Sequence, residues 1–166
     1  GDMLPLTAAD IRDSFVNAGA IDVDRIPLPG LHEVLWDERE FLGWRDGGVA
    51  HRGYLVYWRD ERAVGIVLRA AETRLGQGSA MCSLCQISQP AGQVRMFTAL
   101  RAGDAGHAGD SVGTYICSDL GCPHLIRIAP HGSPWDPNPD SVVARRADGL
   151  SRRLDAFASK VLAPRG

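Results

Sequence analysis

Apolar residues recur at helical spacing near both ends of the chain. Near the start these positions are Ile11, Phe15 and Ala18. Their spacing predicts an amphipathic helix over about 8–18, because residues three or four apart share one face of a helix. Thr7 and Asp10 resemble a capping box with Asp in place of Glu, and Gly19 is a natural stop.

A longer stripe near the end of the chain predicts a second helix over 140–163. Its apolar positions are Val143, Ala147, Leu150, Leu154, Phe157 and Val161. Ser141 can cap this helix, and the segment 130–139 before it holds four prolines, which predicts an irregular connector. We expect the stripe to pack on the core, and a surface for a partner helix is the alternative.

The middle of the chain has the composition of β-strands. Segments 53–58 and 63–68 are rich in aromatic and β-branched residues and flank the polar turn 59–62, so they predict a β-hairpin. Shorter candidate strands are 41–44, 93–100 and 114–116. Segment 103–113 is rich in glycine and polar residues, and it is interpreted as a loop.

Composition limits the class of protein. The chain has 166 residues, of which 45% are hydrophobic and 23% are charged, and this suits one soluble globular domain. No apolar run approaches the roughly 20 residues that span a bilayer, and the first residues lack a signal-peptide pattern. We therefore expect a cytoplasmic protein without a membrane partner.

Charge is distributed unevenly. The formal net charge is −2, but residues 1–80 carry −4 and residues 81–166 carry +2. The segment 141–166 has 6 basic and 2 acidic side chains. Such a helix suits nucleic acid or an acidic protein as a partner, and a solvated helix face is the simpler interpretation.

All four cysteines fall into two close pairs, Cys82 with Cys85 and Cys117 with Cys122, separated by 31 residues. Zinc prefers tetrahedral thiolate ligation, and closely spaced cysteines on a short loop can hold one ion together. The first pair has the form of a zinc knuckle, and the second joins a strand end to a helix predicted over 119–128. This order of elements is that of a treble clef, so we predict one structural Zn²⁺ on these four thiolates.

Other uses of the cysteines stay open from sequence alone. Disulfides need an oxidising compartment, and a redox pair would explain only Cys82 and Cys85. An iron–sulfur centre accepts the same four ligands. His124, two residues after Cys122, and His107 in the glycine-rich loop are alternative ligands that would replace a cysteine.

The predicted metal site is structural. Four thiolates fill the coordination sphere of zinc, whereas catalytic zinc keeps one position open. The zinc-deaminase pattern is absent, since the sequence has no Cys-x-Glu or His-x-Glu and Met81, not proline, precedes Cys82. It also has no phosphate loop and no nucleophile elbow. We therefore expect a binding module, not an enzyme, and no small-molecule substrate.

The segments around the cysteines resemble a known family. Residues 81–85, Met-Cys-Ser-Leu-Cys, and residues 112–122, Val-Gly-Thr-Tyr-Ile-Cys-Ser-Asp-Leu-Gly-Cys, resemble the C-terminal treble-clef zinc-finger domain of the elongation factor G-binding proteins. Three further segments are similar to single-domain relatives of this family in high-GC Gram-positive bacteria, namely residues 41–46, 54–56 and 65–70. The resemblance covers about 7–162.

The resemblance implies that the four cysteines hold the family's metal and that the chain binds elongation factor G at the ribosome. The family includes the fusidic acid resistance proteins of staphylococci, which bind this factor, help it leave a stalled ribosome and do no chemistry on the drug. The chain departs from them in two ways. A separate N-terminal helical bundle is not predicted, and Ser83 stands where we expect an exposed aromatic residue. These departures argue against drug rescue.

These observations predict an α+β fold with an antiparallel sheet, a treble-clef zinc finger and a C-terminal helix. We expect residues 1–166 to form a single domain. Its parts are an N-terminal helix and hairpin in 1–78, a zinc-binding part in 79–130 and the final helix in 140–163.

Two binding hypotheses follow. In the first, the protein docks on elongation factor G or a related translational GTPase. The candidate contact residues are Arg95, Phe97, Arg101 and Arg127, for which ordinary core or exposed positions are the alternative. In the second, the protein binds RNA or the ribosome. Its candidate residues are Arg145, Arg146, Arg152 and Arg153.

Overall fold

The computed structural model describes residues 3–130 and 138–163. Within them the chain forms an α+β fold of seven strands and four α-helices. The strands are β1 (Leu42–Arg45), β2 (Arg52–Arg59), β3 (Arg62–Ala70), β4 (Ser79–Met81), β5 (Ser88–Pro90), β6 (Val94–Leu100) and β7 (Ser111–Cys117). The helices are α1 (Ala8–Ser14), α2 (Asp104–His107), α3 (Cys122–Ile128) and α4 (Pro139–Leu162).

Five strands form one antiparallel sheet in the order β1-β2-β3-β6-β7. The predicted hairpin is confirmed as β2 and β3, with Leu55 opposite Ile66. β6 lies inside the sheet because it pairs with both β3 and β7. β4 and β5 form a separate two-stranded sheet.

Each face of the hairpin carries its own core, as alternation in strands requires. On one face Leu55, Ile66 and Phe97 pack with the cysteines and with α4. On the other face Val56 packs with Leu42 and with the N-terminal segment that holds α1. The cysteines are therefore continuous with the larger core.

The first helix is shorter than predicted. The capping box on Thr7 and Asp10 is confirmed, but α1 ends at Ser14 and not near residue 18. The reason is tertiary pairing. Phe15 forms a parallel bridge with Gly65 of β3, and the Val16 amide donates to the Gly65 carbonyl at 2.9 Å.

The final helix begins earlier than predicted. Asn138 caps it by accepting from the Asp140 amide at 3.0 Å, so Ser141 is not the cap. Val142 is buried, whereas Val143 is only partly buried, so the predicted stripe is wrong at this one position. The other predicted stripe positions are buried. Residues 131–137 of the predicted connector lie outside the described residues.

Two further findings concern helix α2 and the question of membrane-spanning helices. The segment 103–113 is not only loop, since α2 lies within it. No helix in residues 3–130 or 138–163 has the length and apolar character needed to cross a bilayer.

Candidate metal centre

The first pair of cysteines lies on a tight loop between β4 and β5. The amides of Leu84 and Cys85 donate to the Cys82 sulfur at 3.3 and 3.4 Å. The Gln86 amide donates to the Cys82 carbonyl at 2.9 Å, and Gln86 has a positive φ of 56° that turns the chain back. The loop is therefore a knuckle whose amides stabilise negative charge on Cys82.

The second pair joins β7 to α3, and we call the turn between its two cysteines the second knuckle. Cys117 is the last residue of β7 and Cys122 is the first residue of α3. Leu120 has a φ of 58°, and its amide donates to the Cys117 carbonyl at 2.9 Å. The Asp119 carboxylate accepts from the Gly121 amide at 2.8 Å. This turn places Cys122 in the first helical turn, as predicted, where the helix dipole favours a thiolate.

The four sulfurs converge on one point. The Sγ atoms of Cys82 and Cys122 are 3.6 Å apart, and those of Cys85 and Cys117 are 3.7 Å apart. All four ligand atoms lie within 4.8 Å of one another, and all four residues are buried. A tetrahedron with zinc–sulfur bonds of about 2.3 Å has edges of about 3.8 Å. The sulfurs fit one structural zinc ion and are too far apart for disulfide bonds of about 2.05 Å.

The cluster shares its protons unevenly. Hydrogen bonds from the thiols of Cys117 and Cys122 lower the pKa of Cys82. Donation to Cys117 and Cys82 raises the pKa of Cys122. Zinc binds thiolates, so it takes the place of the shared protons and neutralises part of the buried charge. Binding of the ion is thereby coupled to folding of the finger.

Neither alternative histidine joins this cluster. His124 and His107 are exposed, and the group of ligand atoms that lie close enough to share one ion consists of the four cysteines. Within the described residues, the cysteine set is the candidate metal centre.

An arginine from the edge of the large sheet supports the second knuckle. The Nη1 atom of Arg45 donates to the Ser118 carbonyl at 2.8 Å. The Arg45 guanidinium lies 5.5 Å from the centre of the Phe97 ring, within the range of a cation–π contact. Burial lowers the pKa of Arg45, and the neighbouring Arg95 lowers it further.

Two of the predicted contact residues are internal. Phe97 is 0% exposed and Arg95 is 7% exposed, so a role for these side chains in direct partner contact is corrected. β6 is an interior strand, and the face that carries both side chains is covered by the cysteine-containing core. Arg95 donates to the Ala71 carbonyl.

The other two predicted contact residues hold the fold together. Arg127 makes two hydrogen bonds to the Glu40 carboxylate, at 3.0 and 2.8 Å, with side chains that are 18% and 1% exposed. The Nε atom of Arg101 lies 3.4 Å from Asp110, and Arg101 also donates to the Lys160 carbonyl. The four residues therefore do not share one exposed surface.

Sequence reasoning missed how α4 is attached to the finger. Arg153 donates from Nε to the Leu84 carbonyl at 2.6 Å. Arg146 donates to three carbonyls at the end of α3, those of Ile126 and Ala129 at 3.0 Å and Pro130 at 2.7 Å. Carbonyls at the end of a helix lack intrahelical partners, and a cation satisfies them well. The only sequence signal was the seven-residue spacing of the two arginines.

A second missed feature is an open cleft of about 1310 Å³ between the sheet and two loops. Residues 17–22 and 48–52 form its two sides, and Arg69, Thr98 and Leu100 lie on its sheet wall. These segments are far apart in sequence, so no local pattern could have indicated the cleft.

The knuckle between β4 and β5, the strand that ends at Cys117 and the helix that begins at Cys122 define a treble-clef zinc finger. The protein belongs to the FBP C-terminal treble-clef zinc-finger family, whose family model matches residues 10–161. This match confirms the resemblance drawn from the cysteine segments. Comparison with curated proteins and with solved structures found no match.

Proposed function

We propose that the protein is a zinc-stabilised binding module that docks on elongation factor G or a related translational GTPase. The observation that carries this proposal is the family match over residues 10–161. The resemblance to the elongation factor G-binding proteins adds the partner. Binding and not catalysis is proposed because four buried thiolates leave zinc no open position. A translational partner would also place the protein in the cytoplasm.

Two exposed apolar side chains beside the metal centre support a docking role. Met81 directly precedes Cys82 and is 54% exposed, and Tyr115 lies two residues before Cys117 and is 40% exposed. The Ser83 amide donates to the Tyr115 carbonyl at 2.8 Å, which ties the two segments together. Tyrosine and methionine are enriched at protein interfaces. We name Met81 and Tyr115 the finger patch.

The metal helps to fix the position of the finger patch, because Met81 directly precedes the ligand Cys82 and Tyr115 lies on β7 two residues before the ligand Cys117. Loss of zinc should therefore abolish docking even though neither side chain contacts the metal.

The test is capture of purified elongation factor G on immobilised protein, before and after removal of zinc by a chelator. We expect capture by the zinc-loaded protein and loss of capture after chelation. Tyr115→Ala should weaken binding by a factor of about ten or more, as for a contact residue worth about 2 kcal/mol. Leu35→Ala is the matched control, since Leu35 is 64% exposed but lies in the N-terminal segment.

Capture by Leu35→Ala should equal that of the wild type. Absence of capture by a protein that carries one zinc per chain would rule out this partner and leave the fold unaffected. Equal capture by Tyr115→Ala and the wild type would remove the finger patch from the interface.

A further inference from the structure

A groove of about 570 Å³ lies between α4 and the loop that follows the first knuckle. Arginines line its helix side, and residues 85–88 form the opposite side. The arginines are Arg145, Arg146, Arg152 and Arg153. No acidic side chain lines the groove among residues 3–130 and 138–163. We call this feature the arginine groove.

Helix geometry places the four arginines on one side of α4. Arg145 and Arg152 are seven residues apart, as are Arg146 and Arg153, and seven residues make about two helical turns. The two rows are therefore separated by about 10 Å along the helix axis. Gly149 lies midway between them and also lines the groove.

Arg153 is held in a fixed orientation that leaves its terminal nitrogens available. Its Nε atom donates to the Leu84 carbonyl at 2.6 Å. Its guanidinium lies against Gly149, since a Cβ atom on this glycine would be 2.8 Å from Nη2 and 2.9 Å from Nη1. In the described part of the chain, neither Nη atom of Arg153 makes a hydrogen bond. A guanidinium held in this way presents a planar pair of donors that suits a phosphate.

The contacts of Arg146 and Arg152 in the described part of the chain leave the charges of these two side chains available to an anion. Arg146 donates to backbone carbonyls and so keeps its full charge. Arg152 pairs with Asp148 at 3.2 Å, but the two side chains are 72% and 73% exposed. An exposed pair of this kind contributes about 0–1 kcal/mol and is readily exchanged for another anion.

We propose that the arginine groove binds the phosphate backbone of an RNA helix. Among residues 3–130 and 138–163, the lining of the groove includes no aromatic side chain, whereas single-stranded nucleic acids are bound by stacking on aromatics and protein partners by aromatic anchors. Arginines without aromatics fit contacts to phosphates along a duplex, which do not depend on base sequence. The choice of RNA over DNA rests on the proposed translational function, whereas the inference that the groove binds phosphates does not depend on that function.

The experiment measures binding of the full, zinc-loaded chain to a fluorescein-labelled RNA duplex of about 16 base pairs, the length that one double-stranded RNA-binding domain covers. Fluorescence anisotropy is recorded over a range of salt concentrations. The test variant is Arg145→Gln with Arg152→Gln, because Arg146 and Arg153 hold backbone carbonyls of the finger. The matched control is Arg25→Gln with Arg62→Gln, which removes the same charge from exposed positions elsewhere.

We expect the test variant to bind about tenfold more weakly than the wild type at moderate salt. The slope of log K against log salt should fall by about 2, one unit for each lost phosphate contact. Gly149→Ala should also weaken binding, because the new methyl group displaces the Arg153 guanidinium. Asp148→Asn should tighten it, because an anion that competes for Arg152 is removed. The Arg25 and Arg62 control should keep the wild-type slope.

The proposal would be overturned if the test variant and the control weakened RNA binding equally. It would also be overturned if polyglutamate displaced the labelled RNA as effectively as unlabelled duplex does. The latter result would assign the groove to an acidic peptide. A negative result in this RNA-binding experiment is distinct from a negative result for the proposed binding of elongation factor G. Capture of elongation factor G is measured separately, and it should be unaffected in the Arg145 and Arg152 variant.

Discussion

Gly43 lies directly against the main chain of Leu120, since a Cβ atom built on Gly43 would be 2.5 Å from the Leu120 carbonyl oxygen. Leu120 is fully buried between the two ligands of the second knuckle. A neighbouring glycine, Gly53, faces the same residue, and its Cβ would lie 2.6 Å from Leu120 Cδ1. The metal-binding turn is therefore seated on two glycines of the sheet, and any larger side chain would push it away.

This contact gives the first prediction. Gly43→Ala should lower the free energy of unfolding by about 1–3 kcal/mol, because the added methyl group meets main-chain atoms that cannot move cheaply. Urea unfolding measures the change. Gly47→Ala is the control, as nothing lies within 4 Å of a Cβ at Gly47. Equal stability of the two variants would show that the second knuckle does not rest on Gly43.

The second prediction concerns Glu40 and Arg127. Glu40→Gln should destabilise the protein by about 3 kcal/mol, because a nearly buried arginine loses its charged partner. Asp148→Asn breaks an exposed pair and should cost less than about 1 kcal/mol. Thermal unfolding of both variants compares them. If Glu40→Gln were as stable as the wild type, the pair of Glu40 and Arg127 would not hold the fold together.

The third prediction concerns pH. The Tyr54 hydroxyl donates to Asp46, and burial raises the pKa of Tyr54 to about 12 from an ordinary value of about 10. The folded protein thus holds this proton more tightly than the unfolded chain does. Its contribution to stability is fully present below pH 10 and is lost as the pH rises to about 12.

The variant Tyr54→Phe tests the predicted direction of this pH dependence. The variant should be less stable than the wild type at pH 8 by about 2 kcal/mol, the value of a hydrogen bond to a charged group. Between pH 10 and 12 its urea midpoint should fall less steeply than that of the wild type. Tyr115→Phe, which removes a hydroxyl at an exposed position, is the matched control. If the urea midpoints of Tyr54→Phe and of the wild type fell in parallel between pH 10 and 12, the raised pKa of Tyr54 would be refuted.

Features that depend on local chemistry could be predicted from the sequence. The spacing of Cys82 and Cys85 is itself the geometry of a knuckle, and the position of Cys122 in the first turn of α3 follows from the strand before it. The capping box at Thr7 is likewise local, because its donors and acceptors are three residues apart. Each of these depends on residues that are neighbours in the chain.

Features that depend on distant segments could not be predicted. Alternation along β6 places Arg95 and Phe97 on one face, but only the positions of α4 and the finger decide that this face is covered. The early end of α1 has the same origin. A Cβ on Gly65 would be 2.3 Å from Ser14 Oγ, so the close approach of β3 to Ser14 and Phe15 ends a helix that its own periodicity would continue.

The proposed binding surfaces illustrate both cases. The four arginines of α4 were visible as a basic stretch, but the roles of Arg146 and Arg153 depend on carbonyls of the finger that lie 16 or more residues away in sequence. The finger patch was not visible, since the exposure of Met81 and Tyr115 is a property of the folded chain.

The most direct test of this account is the zinc content and melting temperature of the wild type and of Cys117→Ser, with Ser83→Ala as the control. We expect one zinc per chain in the wild type and in Ser83→Ala. Cys117→Ser should lose the metal and melt at a much lower temperature, because structural zinc contributes about 10 kcal/mol or more, comparable to the whole stability of a domain. A Cys117→Ser protein with full zinc content and an unchanged melting temperature would contradict the four-cysteine centre, and iron in place of zinc in the wild type would contradict the assignment of the metal.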